Sequence, residues 1–316
     1  MLSRVADRIF WMSRQMERAE NMARILGVTS NLVLFGTKDA QQQKNLLAPL
    51  SITETDAAFF ERHKKLTLPA LLDFMALDEK NPSSIYSCLK WARENAHAVR
   101  WQITSEMWET LNATWLELKT FKKKDIVGAD ATRFFDWVKD RSHLFRGVTY
   151  GTIVRGEAFN FSRLGTFLER ADNTARILDV KYHILLPSVK DVGGAVDYYQ
   201  WSAVLRSVSA FESYRKVYRD VITPLRLAEL LILRADIPRS LHFCIRSAYE
   251  TLDYLKNPQS EETLRRAGRL LAALQYGKIS DIFTAGLHEY LTEFLQSTQE
   301  LSNGVQRSFF APTLVE

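Results

Sequence analysis

A twelve-residue segment that occurs twice is the strongest constraint on how this chain folds. Glu17-Arg18-Ala19-Glu20-Asn21-Met22-Ala23-Arg24-Ile25-Leu26-Gly27-Val28 returns as Glu169-Arg170-Ala171-Asp172-Asn173-Thr174-Ala175-Arg176-Ile177-Leu178-Asp179-Val180. Nine positions are identical, and the offset of 152 is close to half of the 316 residues. One repetition at that spacing predicts a duplicated helical unit, not a many-copy solenoid. At about 100° per residue, Met12, Met16, Ala19, Ala23 and Leu26 share one stripe. Leu164, Leu168, Ala171, Ala175 and Leu178 form the same stripe in the second copy. Alanines at the centre of each stripe allow two helices to approach closely.

The other side of each copy is charged: Glu17, Asn21 and Arg24, with Glu169, Asn173 and Arg176 as counterparts. Glu20 to Arg24 and Asp172 to Arg176 are favourable i,i+4 ion pairs, which a solvated face would also show. Two details point inward instead. Ile25 and Val28, like Ile177 and Val180, flank the polar stripe, and asparagine is a mediocre helix-interior residue that serves solubility less well than Lys or Glu. The pattern predicts a partly buried polar seam between packed helices, in which charges must be paired to be tolerated. Structural cement and ligand site both remain open for it.

Helical periodicity runs almost end to end, so the predicted class is all-α: about ten helices in a bundle-like, internally duplicated architecture. The predicted domain is one, 1–316, made of halves at about 1–150 and 151–316. Breaks are expected at Gly36–Leu50, Asp78–Ser84, Lys122–Asp130, Pro187–Val196, Lys256–Glu261 and Gln275–Ser280, with Val192-Gly193-Gly194 as the flexible joint. With 13 Gly and 8 Pro there is little room for the turns of an all-β fold, and 46% hydrophobic residues argue against disorder.

The net charge of +5 is too small to indicate a nucleic-acid partner, and the run Lys122-Lys123-Lys124 reads as a solvated loop. The apolar stretches are too short for a membrane span, and charges interrupt any signal-like start, which makes a cytoplasmic location the expectation. Cys88 and Cys244 read as small core residues in a reducing compartment.

Two further clusters stand out. Arg141, His143, Arg146, Arg155, Glu157 and Arg163 gather beside Gly147, Gly151 and Gly156. Their guanidinium groups suit an anion or carboxylate site, or a helix end whose arginines pair with the acids of the repeat. Glu94 and His97 form a Glu-x-x-His pair of the kind found in di-iron bundles, but no histidine accompanies either repeat, so no metal is predicted. No phosphate-binding loop, dinucleotide fingerprint or nucleophile elbow is present.

The segments Met1–Asn21, Arg93-Glu94-Asn95-Ala96, Ser105–Glu109, Arg141–Gly147, Phe167–Asp172, Phe211-Glu212-Ser213-Tyr214 and Pro238-Arg239-Ser240-Leu241 together resemble the bacterial alpha-E family over nearly the full length. The chain departs from the family's pattern at Gly156 and Asn160, where a bulkier, more polar run is expected. The resemblance implies an all-helical protein encoded with, or fused to, a circularly permuted ATP-grasp ligase, often near a transglutaminase-like peptidase. ATP and Mg²⁺ would then belong to the partner, and the reaction would be ATP-dependent amide or peptide-bond formation.

On that basis the seam is expected to hold a carboxylate and amine substrate. Arg146, Arg155 and Arg163 would grip the carboxylate, while Glu17 and Glu169, with His143, would orient an amine or move a proton. Arg18, Glu20, Asn21, Arg24, Glu94, Glu157, Arg170, Asp172, Asn173, Arg176 and Arg239 would complete the binding set. The alternative is a non-catalytic helical module that docks the ligase, with Trp101, Trp108, Trp115 and Tyr198-Tyr199 as candidate contacts. A carboxylate-bridged metalloenzyme is the third and weakest reading.

Overall fold

The computed structural model describes residues 1–34, 39–128, 130–184 and 195–311, and every regular element among them is helical. The first half holds α1 (Ser3–Leu34), α2 (Asp39–Thr53), α3 (Asp56–Phe60), α4 (Leu68–Leu72), α5 (Ile85–Ala98), α6 (Ser105–Leu118) and α7 (Asp130–Thr152). The second holds α8 (Glu157–Ile184), α9 (Ala195–Ser207), α10 (Phe211–Tyr218), α11 (Pro224–Ile232), α12 (Leu241–Leu255), α13 (Glu261–Tyr276), α14 (Ile279–Ala285) and α15 (Leu287–Val305).

The class is the all-α one that the periodicity predicts. The described residues hold fifteen α-helices where about ten were expected, because several are only one or two turns long. Ser209 and Arg219 take left-handed backbone angles, φ 52° each, at the ends of α9 and α10, and so divide a stretch that reads as continuous. The expected break at Gly36–Leu50 is corrected from Asp39 on, where α2 is helical through Pro49 to Thr53 because Leu46 and Leu50 are buried and anchor it; Gly36, Thr37 and Lys38 lie outside the described residues. Pro187 and Val192-Gly193-Gly194 lie outside the described residues. No helix among the described residues is long and apolar enough to cross a membrane.

The two repeat helices, α1 and α8, form the centre. Ser13 Oγ lies 2.7 Å from Ser162 Oγ, and further along Arg170 reaches Glu17, so the contacts advance together and the helices run in the same direction. α5 and α7 cover α1, and α12 and α15 cover α8. Met12, Met16, Ala19, Ala23 and Leu26 are buried, as are Leu164, Leu168, Ala171, Ala175 and Leu178. Glu17, Glu20 and Asn21 are buried too, since α1 is enclosed on nearly every side.

α5 and α12 begin alike. Ser84 and Ser240 each sit at the N-cap in extended backbone and accept a hydrogen bond from the amide three residues on. Each also donates to a carbonyl six residues back, Asp78 O and Arg234 O. Truncating either to Ala should cost about 0.5–2 kcal/mol, a difference that denaturant melts of the two variants would measure.

Candidate functional site

The charged side chains of the repeat meet across the α1–α8 contact as reciprocal pairs. Arg170 Nε and Nη2 each lie 2.9 Å from the Glu17 carboxylate. Arg18 Nε and Nη2 lie 2.6 and 3.0 Å from that of Glu169. Each Glu-Arg dipeptide therefore gives its carboxylate to the other copy's guanidinium in the same bidentate way. The repeat equivalences generate two lobes, one around Glu17 and Glu20, the other around Glu169 and Asp172.

The first lobe is closed. Arg239, at the start of α12, places Nη1 2.7 Å from Glu17 Oε1 and 2.8 Å from Asn21 Oδ1, and Nη2 2.6 Å from Glu20 Oε1. Arg146 from α7 donates to Glu17 Oε2 at 3.0 Å and to Glu20 Oε2. Arg24 adds Nε at 2.9 Å and Nη2 at 2.7 Å to Glu20 Oε1, and the Ser142 hydroxyl donates to Glu20 Oε2 at 2.7 Å. At the edge, His143 is half exposed and sets Nε2 3.1 Å from Arg24 Nη2.

Burial alone would push the Glu17 carboxyl up, but Arg170 and Arg239 overcome it and hold it at about 2. Glu20 is likewise held well below the ordinary range, burial being outweighed by Arg239, His143, Arg146 and Arg24. Two buried acids are thus tolerated because four guanidinium groups converge on them.

The second lobe is built from the same frame with fewer partners. Arg14 gives the Glu169 carboxylate a third bond, to Oε2 at 2.9 Å, and together Arg18 and Arg14 hold Glu169 at about 2 against its burial. Asp172 receives Arg176 Nε at 2.8 Å, while Arg176 Nη1 turns to the exposed Glu54. Burial raises the Asp172 carboxyl, and Arg176 offsets this only partly. A cavity of about 150 Å³ opens beside these groups, lined by Arg18, Asn21, Ser83, Glu169, Asp172 and Asn173, with Glu54 and Arg176 also on its wall.

The other predicted site residues stand elsewhere. Arg155 donates to the carbonyl of Tyr150 and lies over the Phe159 ring, and Arg163 packs between Phe159 and Phe167. Neither joins Arg146, so the three-arginine grip is not assembled. Glu157 binds the Met1 amine at 2.6 Å, and Glu94 takes Arg93 at 2.7 Å. Asn160 Nδ2, at the departure from the family pattern, donates to Gly156 O. Of the candidate aromatic contacts, Trp101, Tyr198 and Tyr199 are exposed, whereas Trp108 and Trp115 are half-buried against the core. Among the described residues no group of three or more His, Cys, Asp or Glu could hold a metal ion.

Arg14, Ser142, Ser83 and Glu54 were not singled out from the sequence. Arg14 is one turn before Arg18 on the same face. Ser83 had a subtler signal. Pro82, Ser84, Cys88, Ala92 and Glu94 recur, each 156 residues later, as Pro238, Ser240, Cys244, Ala248 and Glu250. The structure superposes their roles: the cysteines are both buried, with burial pushing each thiol up to about 12, and the serines both cap. In that register Ser83 is the counterpart of Arg239, and this difference leaves the second lobe open.

No curated protein and no solved structure matches the chain. A family model described as Alpha-E, a predicted alpha-helical domain with a conserved ER motif, matches residues 1–310. That match spans both Glu-Arg dipeptides that clasp each other at the centre of the fold, and the chain belongs to the Alpha-E family.

Proposed function

We propose that this Alpha-E chain acts in ATP-dependent amide or peptide-bond formation as the substrate-holding partner of a circularly permuted ATP-grasp ligase, with its substrate in the second lobe. The observation that carries this reading is that one charged frame occurs twice and only one copy is closed. The first lobe acts as cement that registers the halves. Its acids are saturated by arginines, and a carboxylate held at about 2 has little proton affinity, so Glu17 serves as an anchor and not as a base.

The second lobe offers both signs of charge around a cavity. Glu169 and Asp172 face the cationic end of a substrate, and Arg18 and Arg176 can meet a carboxylate in place of the Arg146, Arg155 and Arg163 set. Activation of a carboxylate by ATP would fall to the ligase, and this chain would supply position and orientation.

The test is to co-purify the chain with a circularly permuted ATP-grasp ligase from the same genome and assay ATP turnover with amino-acid mixtures. Asp172→Asn should lower turnover at least tenfold while the complex and the fold persist, because Arg176 keeps Glu54 as a partner. A stable complex whose turnover ignores Asp172 would make this chain a docking scaffold. Failure of the two proteins to associate would remove the ligase from the reading.

A further inference from the structure

The repeat lets one half of the protein report what the other half lacks. In the first lobe the space between Glu17, Glu20 and Asn21 is filled by a guanidinium group, that of Arg239. Its counterparts in the second lobe are Glu169, Asp172 and Asn173, and the residue in place of Arg239 is Ser83, whose side chain stops at the cavity wall.

The hydrogen-bonding ledger agrees atom by atom. Glu17 Oε1 accepts from both Arg170 Nε and Arg239 Nη1, whereas Glu169 Oε1 receives Arg18 Nε alone among the described residues. The position that Arg14 fills on Glu169 Oε2 corresponds to the one Arg146 fills on Glu17 Oε2, so the acceptor left open on Glu169 is the one Arg239 occupies on Glu17. Glu20 collects donors on both oxygens, but Asp172 is bonded through Oδ2 to Arg176, and Oδ1 has no hydrogen bond among the described residues.

A second, separate observation marks this cavity as a ligand site. Asn173, 9% exposed, and Asn21, 2% exposed, both line it, and each has a buried Nδ2 with no hydrogen-bond partner. Buried amide donors are seldom left unpaired, and an oxygen carried by the same ligand would satisfy them. The neighbouring cations do not argue against a cationic guest. Arg239 lies beside Arg170 and Arg24 in the first lobe, and Arg18 and Arg176 are their equivalents in the second.

We propose that the cavity beside Glu169 and Asp172 binds an alkylguanidinium group, seated as the Arg239 guanidinium is seated between Glu17 and Glu20. Arg239 bridges two carboxylates through Nη1 and Nη2, and this fixed planar spread of donors distinguishes the group from a lysine-type ammonium, which acts as a point charge. The inference rests on the reading that the second lobe is the substrate site, and it names the substrate's class: a free guanidino compound or an arginine side chain of a peptide.

Titration calorimetry on the full chain alone tests it, with agmatine, L-arginine amide and an end-blocked arginine tripeptide as probes. L-citrulline amide is the neutral isostere, and L-lysine amide is the ammonium control. Saturable binding of at least one guanidino probe is expected, tenfold or more tighter than its citrulline and lysine counterparts. Binding of agmatine would point to a free small molecule, and binding of the tripeptide alone to a peptide side chain.

Asp172→Asn should weaken that binding at least tenfold. Ser83→Arg should abolish it while raising the melting temperature, since the new side chain would close the lobe as Arg239 closes the other. Absence of saturable binding by every guanidino probe would overturn the proposal, as would equal binding of citrulline amide or unchanged affinity in the Ser83→Arg protein. The wider reading fails separately: guanidino binding with ligase turnover indifferent to Asp172 would keep the site and discard the ligase role. Turnover that depends on Asp172 without guanidino binding would do the reverse.

Discussion

Replacing Glu17 with Gln should destabilise the protein by about 3–5 kcal/mol, the cost of leaving buried charge without its partner. Arg170 and Arg239 both point at this carboxylate from almost wholly buried positions, and neither can reach water when the charge is removed. The same substitution at Glu169 should cost less, because Arg18 is about a third exposed and can be rehydrated. Denaturant unfolding of the two variants would rank them, and a Glu17→Gln protein as stable as the parent would refute the cement role of the first lobe.

The acid limb of the stability curve carries the same information. The folded Glu17 carboxyl lies at about 2 and its ordinary value is 4.5, so its ionisation favours the folded state by about 3 kcal/mol. For a depressed carboxyl this contribution is complete above about 4.5 and is lost as the pH falls from there towards 2. Glu169 behaves in the same way. The parent should therefore lose stability steeply across that window, and Glu17→Gln should flatten the slope by about one proton.

The sequence makes some of this legible and hides the rest for definite reasons. The twelve-residue repeat discloses two equivalent helices, their alanine-rich stripe and their i,i+4 pairs, because each is a property of one helix. Arg24 with Glu20 and Arg176 with Asp172 are formed as predicted. The exchange of Glu17 and Glu169 between copies is not a property of either helix, and it follows only once α1 and α8 lie parallel and in register.

Arg155 and Arg163 mislead because composition gathers them near Arg146, while the turn between α7 and α8 sends them to aromatic neighbours. The break expected up to Leu50 fails from Asp39 on because Leu46 and Leu50, one turn apart, are both buried in the core and hold α2 helical. The Ser83–Arg239 difference was readable in principle, but a five-residue pattern spread over thirteen positions gains meaning only when both copies are seen to cap a helix against the same seam.

What keeps that register is tested most sharply at Gly165. A methyl group there would sit 2.3 Å from the carbonyl oxygen of Phe10 and 3.3 Å from Arg14 Cγ. The first contact is with backbone, which has little freedom to move. Phe10 is itself held against Phe310 at a ring separation of 5.2 Å, and the Ser13–Ser162 hydrogen bond ties the helices again one turn away.

Gly165→Ala should therefore force α1 and α8 apart and cost the upper part of about 1–3 kcal/mol, although alanine is the better helix former. The parting helices would also draw Arg14 and Arg18 away from Glu169, so the variant should lose protection of its central amides before global unfolding. Gly147→Ala is the matched control, since its methyl group would meet nothing within 4 Å on α7 and should leave stability unchanged or raise it by about 0.5–1 kcal/mol. Equal melting points for the two variants would mean that the centre of this fold is not the close parallel contact on which both lobes depend.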